Sequence, residues 1–357
     1  MPSWNDLGTA FNTLRELDVA AITEESEHPV SIGCFGARSL FTRVVQLLTT
    51  GGSLRYGPAG QDPFWHCPLP LGAPSDDVRR ADLLLVLVDG RAPMDTSATR
   101  ALTRLSELAV PLVIAICGVP PPGELGQPRP AFAHARIVVL PDLSASEATE
   151  TLAAALLERL PTERHLAMAR AVPGLRFTYA RDLVNAVALT NATYAFASSI
   201  PEQIPILSVP FVAADLIVLT KNQALLVYRL ALAHGAPPEF QARMTEIAPV
   251  IGSAFVWRQV ARTLVGLIPF WGVVPKVAVA YAGTYATGSA AWHWYAEGQR
   301  LSSERLKEIA DEALRVGRER AAALIATARE QSVTARKRFG LPTFRRHKAP
   351  GKDQAPR

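Results

Sequence analysis

Between residues 29 and 140 the chain repeatedly sets a short, continuously apolar run against a stretch of helical periodicity, and few folds accept that alternation. Ala81-Asp82-Leu83-Leu84-Leu85-Val86-Leu87-Val88-Asp89, Pro111–Cys117 and Arg136–Leu140 read as buried strands, and an earlier one begins at Pro29. Helical patterns follow them at FTRVVQLL, at Asp95–Leu108 and at SEATETLAAALLERL. A strand that is apolar on both faces must be covered on both faces, so this order predicts a parallel sheet between two helical layers. The expected unit is a three-layer, Rossmann-like α/β domain.

From about residue 176 the strands stop. Residues 180–199, Ile206–His234 and the closing segment LSSERLKEIADEALRVGRE read as helices. So does the apolar region Ile247–Tyr295, bent where Pro269 and Pro275 flank FWGVV. The expected organisation is therefore an N-terminal helix over 4–20 with an acidic loop Glu24–Glu27 (together 1–27), an α/β domain over 28–170, an all-α domain over 176–330 and a basic tail over 331–357.

Composition leaves the setting of the helical domain open. Charged residues are 19% and hydrophobic residues 49% of the 357, more apolar than an average soluble domain. Against a spanning segment, Asp215, Lys221 and Arg229 interrupt the first apolar region, and Arg258, Arg262 and Lys276 the second. An ionisable group inside such a segment needs a partner, and Asp215 with Lys276 is the expected buried pair. Ala278, Ala282, Ala286 and Ala290 recur every four residues beside a second small stripe of Ala280, Gly283, Thr287 and Ala291. A face with so little bulk lets another backbone approach closely, within one chain or between protomers, in lipid or in water. Trp292, Trp294 and Tyr295 fit either an interfacial aromatic belt or the packed end of a bundle.

The net charge of +5 is placed unevenly: eight cations follow residue 335 against Asp353 alone, so the body of the protein is not basic. Nucleic acid is accordingly not an expected partner. Cys34, Cys67 and Cys117 show no ligand spacing and fit a reduced compartment, His66, His134, His234 and His293 lie too far apart in sequence to suggest a zinc site, and the first residues lack the basic and apolar regions of a secretory signal.

The stretch Val30-Ser31-Ile32-Gly33-Cys34-Phe35-Gly36-Ala37-Arg38-Ser39-Leu40 lies where a phosphate-binding loop would sit in such a domain. The working pattern G-x-x-x-x-G-K-[ST] curls backbone N–H groups round the phosphates while Lys reaches their oxygens and the hydroxyl holds Mg²⁺. Aligned on Arg38 and Ser39, the two glycine positions are Ile32 and Ala37, and Arg, a planar fork, replaces Lys. Over residues 28–170 the order of elements nonetheless resembles the small-GTPase fold of the Era and dynamin-like superfamily. The family's D-x-x-G would match Leu69-Pro70-Leu71-Gly72, without its Asp, and its N-K-x-D would fall at Cys117-Gly118-Val119-Pro120, without its base-reading Asp. With all three motifs altered, the resemblance implies a pseudo-GTPase with no catalytic residue, cofactor or metal. Only the rival reading, a divergent GTP/ATP hydrolase with Mg²⁺, would use Gly33, Gly36, Arg38, Ser39, Gly72 and Asp89.

The segments IPILSVPFVAADLIVLTKNQALLVYRLALAHG, EIAPVIGSAFVWRQVARTLVGLIPFWGVVPKVAVAYAGTYATGSAAWHWYAEG and LSSERLKEIADEALRVGRE closely resemble the YcjF-type, GTPase-associated helical domain of bacteria, of unknown function, over about 180–325. The resemblance implies a place at the cytoplasmic side of the inner membrane, or in the cytoplasm, with membrane contact and a protein partner or self-association. The expected function is a non-enzymatic adaptor, with a divergent hydrolase and a soluble helical assembly protein as rivals.

Overall fold

The protein is described by a computed structural model, covering residues 18–50, 56, 62–69, 75–92, 96–119, 134–198, 208–240, 242–243, 273–299 and 301–339. Within these, only the backbone is described at 208–217, 273, 303, 328–329 and 331–339. Helix α1 (Ala20–Glu27) leads into β1 (Ile32–Gly36), α2 (Arg38–Thr49), β2 (Phe64–Cys67), α3 (Asp76–Arg80), β3 (Leu83–Asp89), α4 (Thr96–Ser106), β4 (Leu112–Cys117), β5 (Arg136–Leu140), α5 (Ser146–Arg159) and α6 (His165–Ala171). Four long helices follow: α7 (Arg176–Ser198), α8 (Ser208–Ala233), α9 (Val273–Glu297) and α10 (Ser303–Phe339).

The five strands form one parallel sheet in the order β2-β1-β3-β4-β5. Alternate side chains of the inner strands face opposite ways and build two cores, as expected for strands buried on both faces. Phe35, Leu84, Val86 and Ile114 meet Val78 of α3 and Leu102 and Leu105 of α4. On the other face Cys34, Leu85, Val113 and Val138 meet Val44 and Leu48 of α2 and Leu152 and Leu156 of α5. That second core does not stop at the α/β unit. It continues through Leu166, Met168 and Leu175 to Leu226, Tyr228 and Leu230 of α8 and Ala291 and Tyr295 of α9.

Polar contacts fix the same junction. Arg170 donates through Nη1 to the carbonyls of Leu232 and Ala236, both at 2.8 Å, and so satisfies backbone acceptors at and just beyond the end of α8. Buried Arg176 donates to the carbonyls of Ala169 and Arg170 at 3.2 Å. Gly174 lies so close to α2 that a Cβ there would be 2.8 Å from the carbonyl oxygen of Leu48. The stretch expected as an acidic loop, Glu24–Glu27, is instead part of α1. It is held there because Ile22 is buried, Thr23 and Tyr228 share a 2.9 Å hydrogen bond, and Glu25 accepts from Arg229 at 2.8 Å. The helix expected over 4–20 lies almost wholly outside the described residues.

The alanine stripe has its partner within the chain. Antiparallel α10 lies along α9, with Ala286 against Ala310, Ala282 against Ala313 and Leu314, and Val277 against Ala321. A Cβ on Gly317 would sit 2.9 Å from the carbonyl oxygen of Ala278. Ala290, one turn further on, packs against the core shared with the sheet, as do Trp292, Trp294 and Tyr295. Within the second stripe Ala280, Thr287 and Ala291 are buried, whereas Gly283 is half-buried with nothing described within 4 Å of its would-be Cβ. Between α7, α8 and α9 runs a polar seam: Asn191 donates to Thr284 at 2.8 Å and accepts from Asn222 at 2.7 Å, and Gln223 also donates to Thr284, at 3.2 Å. Of the expected Asp215–Lys276 pair, the Asp215 side chain lies outside the described residues, while Lys276 donates to Ser198 Oγ at 3.3 Å. Among the described residues no helix is long and apolar enough to cross a membrane.

Two predictions follow from this packing. Ala282→Leu and Ala286→Leu place bulk where α9 and α10 nearly touch, and each should cost about 1 to 3 kcal/mol in chemical denaturation. Glu308→Leu on exposed α10 should cost far less; equal stability of all three would refute the packing. The second concerns His234, 2% exposed, whose Nδ1 donates to the Leu230 carbonyl at 2.8 Å. Burial, aided by repulsion from Arg176, pushes its pKa down to about 4 from an ordinary 6.5. The neutral ring therefore adds stability that is complete above pH 6.5 and is lost as pH falls from there towards 4, a total of roughly 3 kcal/mol. Relative to wild type, His234→Asn should flatten the stability profile in that window; parallel profiles would contradict the assignment.

Candidate functional site

In a doubly wound sheet the place to look for a ligand is the carboxyl edge, where the strand order reverses between β1 and β3. Gly36 and Asp89 end those two strands, Cys117 and Leu140 end β4 and β5, and α2 starts beside them.

A single residue, Ala37, separates β1 from α2. A phosphate-gripping loop needs about five residues of curled backbone at that point. Here those positions are strand: Ile32–Phe35 pair with β2 along one side and Ile32–Gly36 with β3 along the other.

The two glycines have packing roles. A Cβ on Gly33 would lie 2.6 Å from the indole of Trp65, its neighbour across the β1–β2 pair, and that indole donates from Nε1 to Ser31 Oγ at 3.0 Å. Gly36 has φ +139°, open to glycine but not to ordinary side chains, and a Cβ there would meet the Leu87 carbonyl oxygen at 2.4 Å. Its own carbonyl accepts from His66 Nε2 at 2.9 Å, which requires the proton on that nitrogen.

Arg38 and Ser39 are exposed in the first turn of α2, with the Arg38 guanidinium 5.5 Å from the Phe41 ring centre. Asp89 is exposed as well, and its Oδ1 accepts the Arg91 N–H at 3.0 Å in the turn after β3. The structure thus brings Gly36, Arg38, Ser39 and Asp89 to one edge, leaves Gly33 inside the sheet, and does not describe Gly72. Of the stretch set against N-K-x-D, Gly118 has φ +102°, donates to the Leu140 carbonyl at 2.8 Å, and is followed by Val119, 68% exposed, while Pro120, at the position of the base-reading Asp, lies outside the described residues.

Sequence reading missed Arg43, Arg91 and Asp142. Asp142, just past β5, accepts from the backbone N–H of Ser144 at 2.8 Å and from its hydroxyl at 2.7 Å, and these bonds hold its carboxyl below the usual range. Arg43 and Arg91 act on it in the same direction. The D-x-S spacing of an Asx turn was the available signal; nothing in the sequence placed the two arginines beside it.

Burial pushes Cys34 up to about 12, with Asp62 adding to the rise, Cys117 up to about 11, and half-buried Cys67 in the same direction, so the reactive thiolate form is disfavoured at each. Among the described residues no three or more His, Cys, Asp or Glu side chains are grouped to hold a metal ion. Among the described residues, this edge exposes side chains of both charges, Arg38 and Asp89 among them. No protein-family model matches the chain, and no curated protein and no solved structure shows significant similarity to it.

Proposed function

We propose that the protein is a non-catalytic adaptor of GTPase-like shape. Its α/β unit offers a binding surface, and its helical unit associates with the cytoplasmic face of the membrane and scaffolds or self-associates there. The single-residue link between β1 and α2 carries the non-catalytic part of this reading, because it leaves no loop long enough to wrap round phosphates, only the first-turn N–H groups of α2. The buried junction between sheet and helices supports the adaptor part, since a partner bound at the sheet edge would be held rigidly relative to the helical unit.

Surface association is favoured over spanning. Among the described residues no helix meets the requirement for crossing a bilayer, and the small faces of α9 are occupied by α10 and by the shared core. The rival hydrolase would have to work with Arg38, Ser39 and Asp89, all exposed, with only Ala37 between β1 and α2.

Calorimetry with GTP and with ATP, each with Mg²⁺, separates the two. The adaptor reading expects no binding tighter than about 1 mM. A dissociation constant near about 1 μM, abolished by Arg38→Ala, would establish the hydrolase alternative instead.

A further inference from the structure

Helix α2 runs from the carboxyl edge of the sheet to the opposite edge, where it meets the turn that opens the helical unit. Its 12 residues span about 18 Å at 1.5 Å per residue. Through Ala37 alone its first turn is tied to β1, a strand that β2 and β3 hold on either side. Arg38 and Ser39 of that turn are exposed, while Val44 and Leu48 are buried against the sheet.

At the far end of α2 there is no clearance. A Cβ on Gly174 would lie 2.8 Å from the carbonyl oxygen and 2.9 Å from the Cα of Leu48, so the turn Pro173–Leu175 rests on helix backbone and not on a side-chain tip that could swing aside. Leu48, Val172 and Leu175 are fully buried in the same core. The next links are also to backbone. Arg176, the first residue of α7, donates to the carbonyls of Ala169 and Arg170, which ties the start of α7 to the end of α6. Arg170 in turn donates to the carbonyls of Leu232 and Ala236 at the end of α8. A continuous series of close contacts thus runs from α2 through residues 172–176 to α8, and interiors packed at this density pass on a displacement instead of absorbing it.

We propose that α2 is a lever that couples the carboxyl edge to the helical unit. A partner engaging the exposed first turn tilts the helix about Ala37, and a tilt of about 3° over this length moves Leu48 by roughly 1 Å. Gly174 must follow a shift of that size, and with it the 172–176 segment and the end of α8. Small sliding movements of packed helices are an established way to link two sites. The coupling is reciprocal, so a load on the end of α8 re-aims Arg38 and Ser39. This inference rests on the adaptor reading above and adds the route by which its two units communicate.

The test is methyl NMR of the full chain, labelled at Leu and Val. Gly174→Ala pushes against the Leu48 backbone, and the resulting shift changes should run along α2 to Val45 and Val44 and across to Leu230 and Leu232 of α8. Leu84 and Val86, on the other face of the sheet, should keep their wild-type positions. Arg170→Met frees the end of α8 without adding bulk against α2, and decides the matter should Gly174→Ala not fold: Val44 and Val45 should again move. Unmoved Val44 and Val45 in either folded variant would overturn the lever, as would changes confined to Leu48, Val172 and Leu175, or changes spread evenly through the sheet to Leu84 and Val86. None of those results touches the non-catalytic reading, which nucleotide calorimetry decides separately.

Discussion

Strand β1 is held along both edges, by β2 and by β3, and the remaining architecture is arranged around that clamp. Its five residues supply both cores, Ile32 and Cys34 to one and Phe35 to the other. Its glycines let neighbours close in: Trp65 lies over Gly33, and the Leu87 backbone lies against Gly36. Because the strand runs to Gly36 and α2 begins at Arg38, the chain has no slack at the place where nucleotide-binding sheets of this topology keep a phosphate loop.

A second consequence is mechanical. The face of the sheet that receives Cys34 also receives α2 and α5, and through the 165–175 segment it is continuous with α8 and α9. Fully buried Tyr228 and Tyr295 sit in that continuation. The Glu25–Arg229 pair crosses it: burial disfavours the charge on Arg229, and its donation to Glu25, the Glu25 carboxylate and Tyr179 together more than restore it. Removing one member of such a pair costs more than the pair contributes, because the other charge is left buried and alone.

The sequence made the α/β order and the helical half legible where patterns were long. The strands at Leu83–Asp89, Leu112–Cys117 and Arg136–Leu140 fall inside the apolar runs that announced them, and α7 at Arg176–Ser198 lies close to the expected 180–199. Short elements were not legible. Phe64–Cys67 has four residues and no alternation that separates a strand from a loop, and it forms because Gly33 admits Trp65 beside it. Asp76–Arg80 is a single turn anchored by Val78. The acidic Glu24–Glu27 was misread because its helix depends on Arg229 and Tyr228, about 200 residues away, which no local pattern records. At the candidate site the altered motifs were visible in the letters, whereas the single-residue link between β1 and α2 emerged only from the strand and helix bounds, and the influence of Arg43 and Arg91 on Asp142 only from the folded arrangement. The stripe Ala278, Ala282 and Ala286 was legible as a close-packing face; its choice of α10 over a second protomer was not.

Amide hydrogen exchange resolved at Gly33–Gly36 tests the central claim most directly, since strand pairing and a phosphate loop make opposite demands on those backbone groups. Paired on both edges, they should exchange slowly, with protection near that of β3, and GTP with Mg²⁺ should leave their rates unchanged. Rapid exchange in the free protein that slows on adding GTP and Mg²⁺ would mean that the segment is a nucleotide loop after all, and the account of this protein as a non-catalytic adaptor would be wrong.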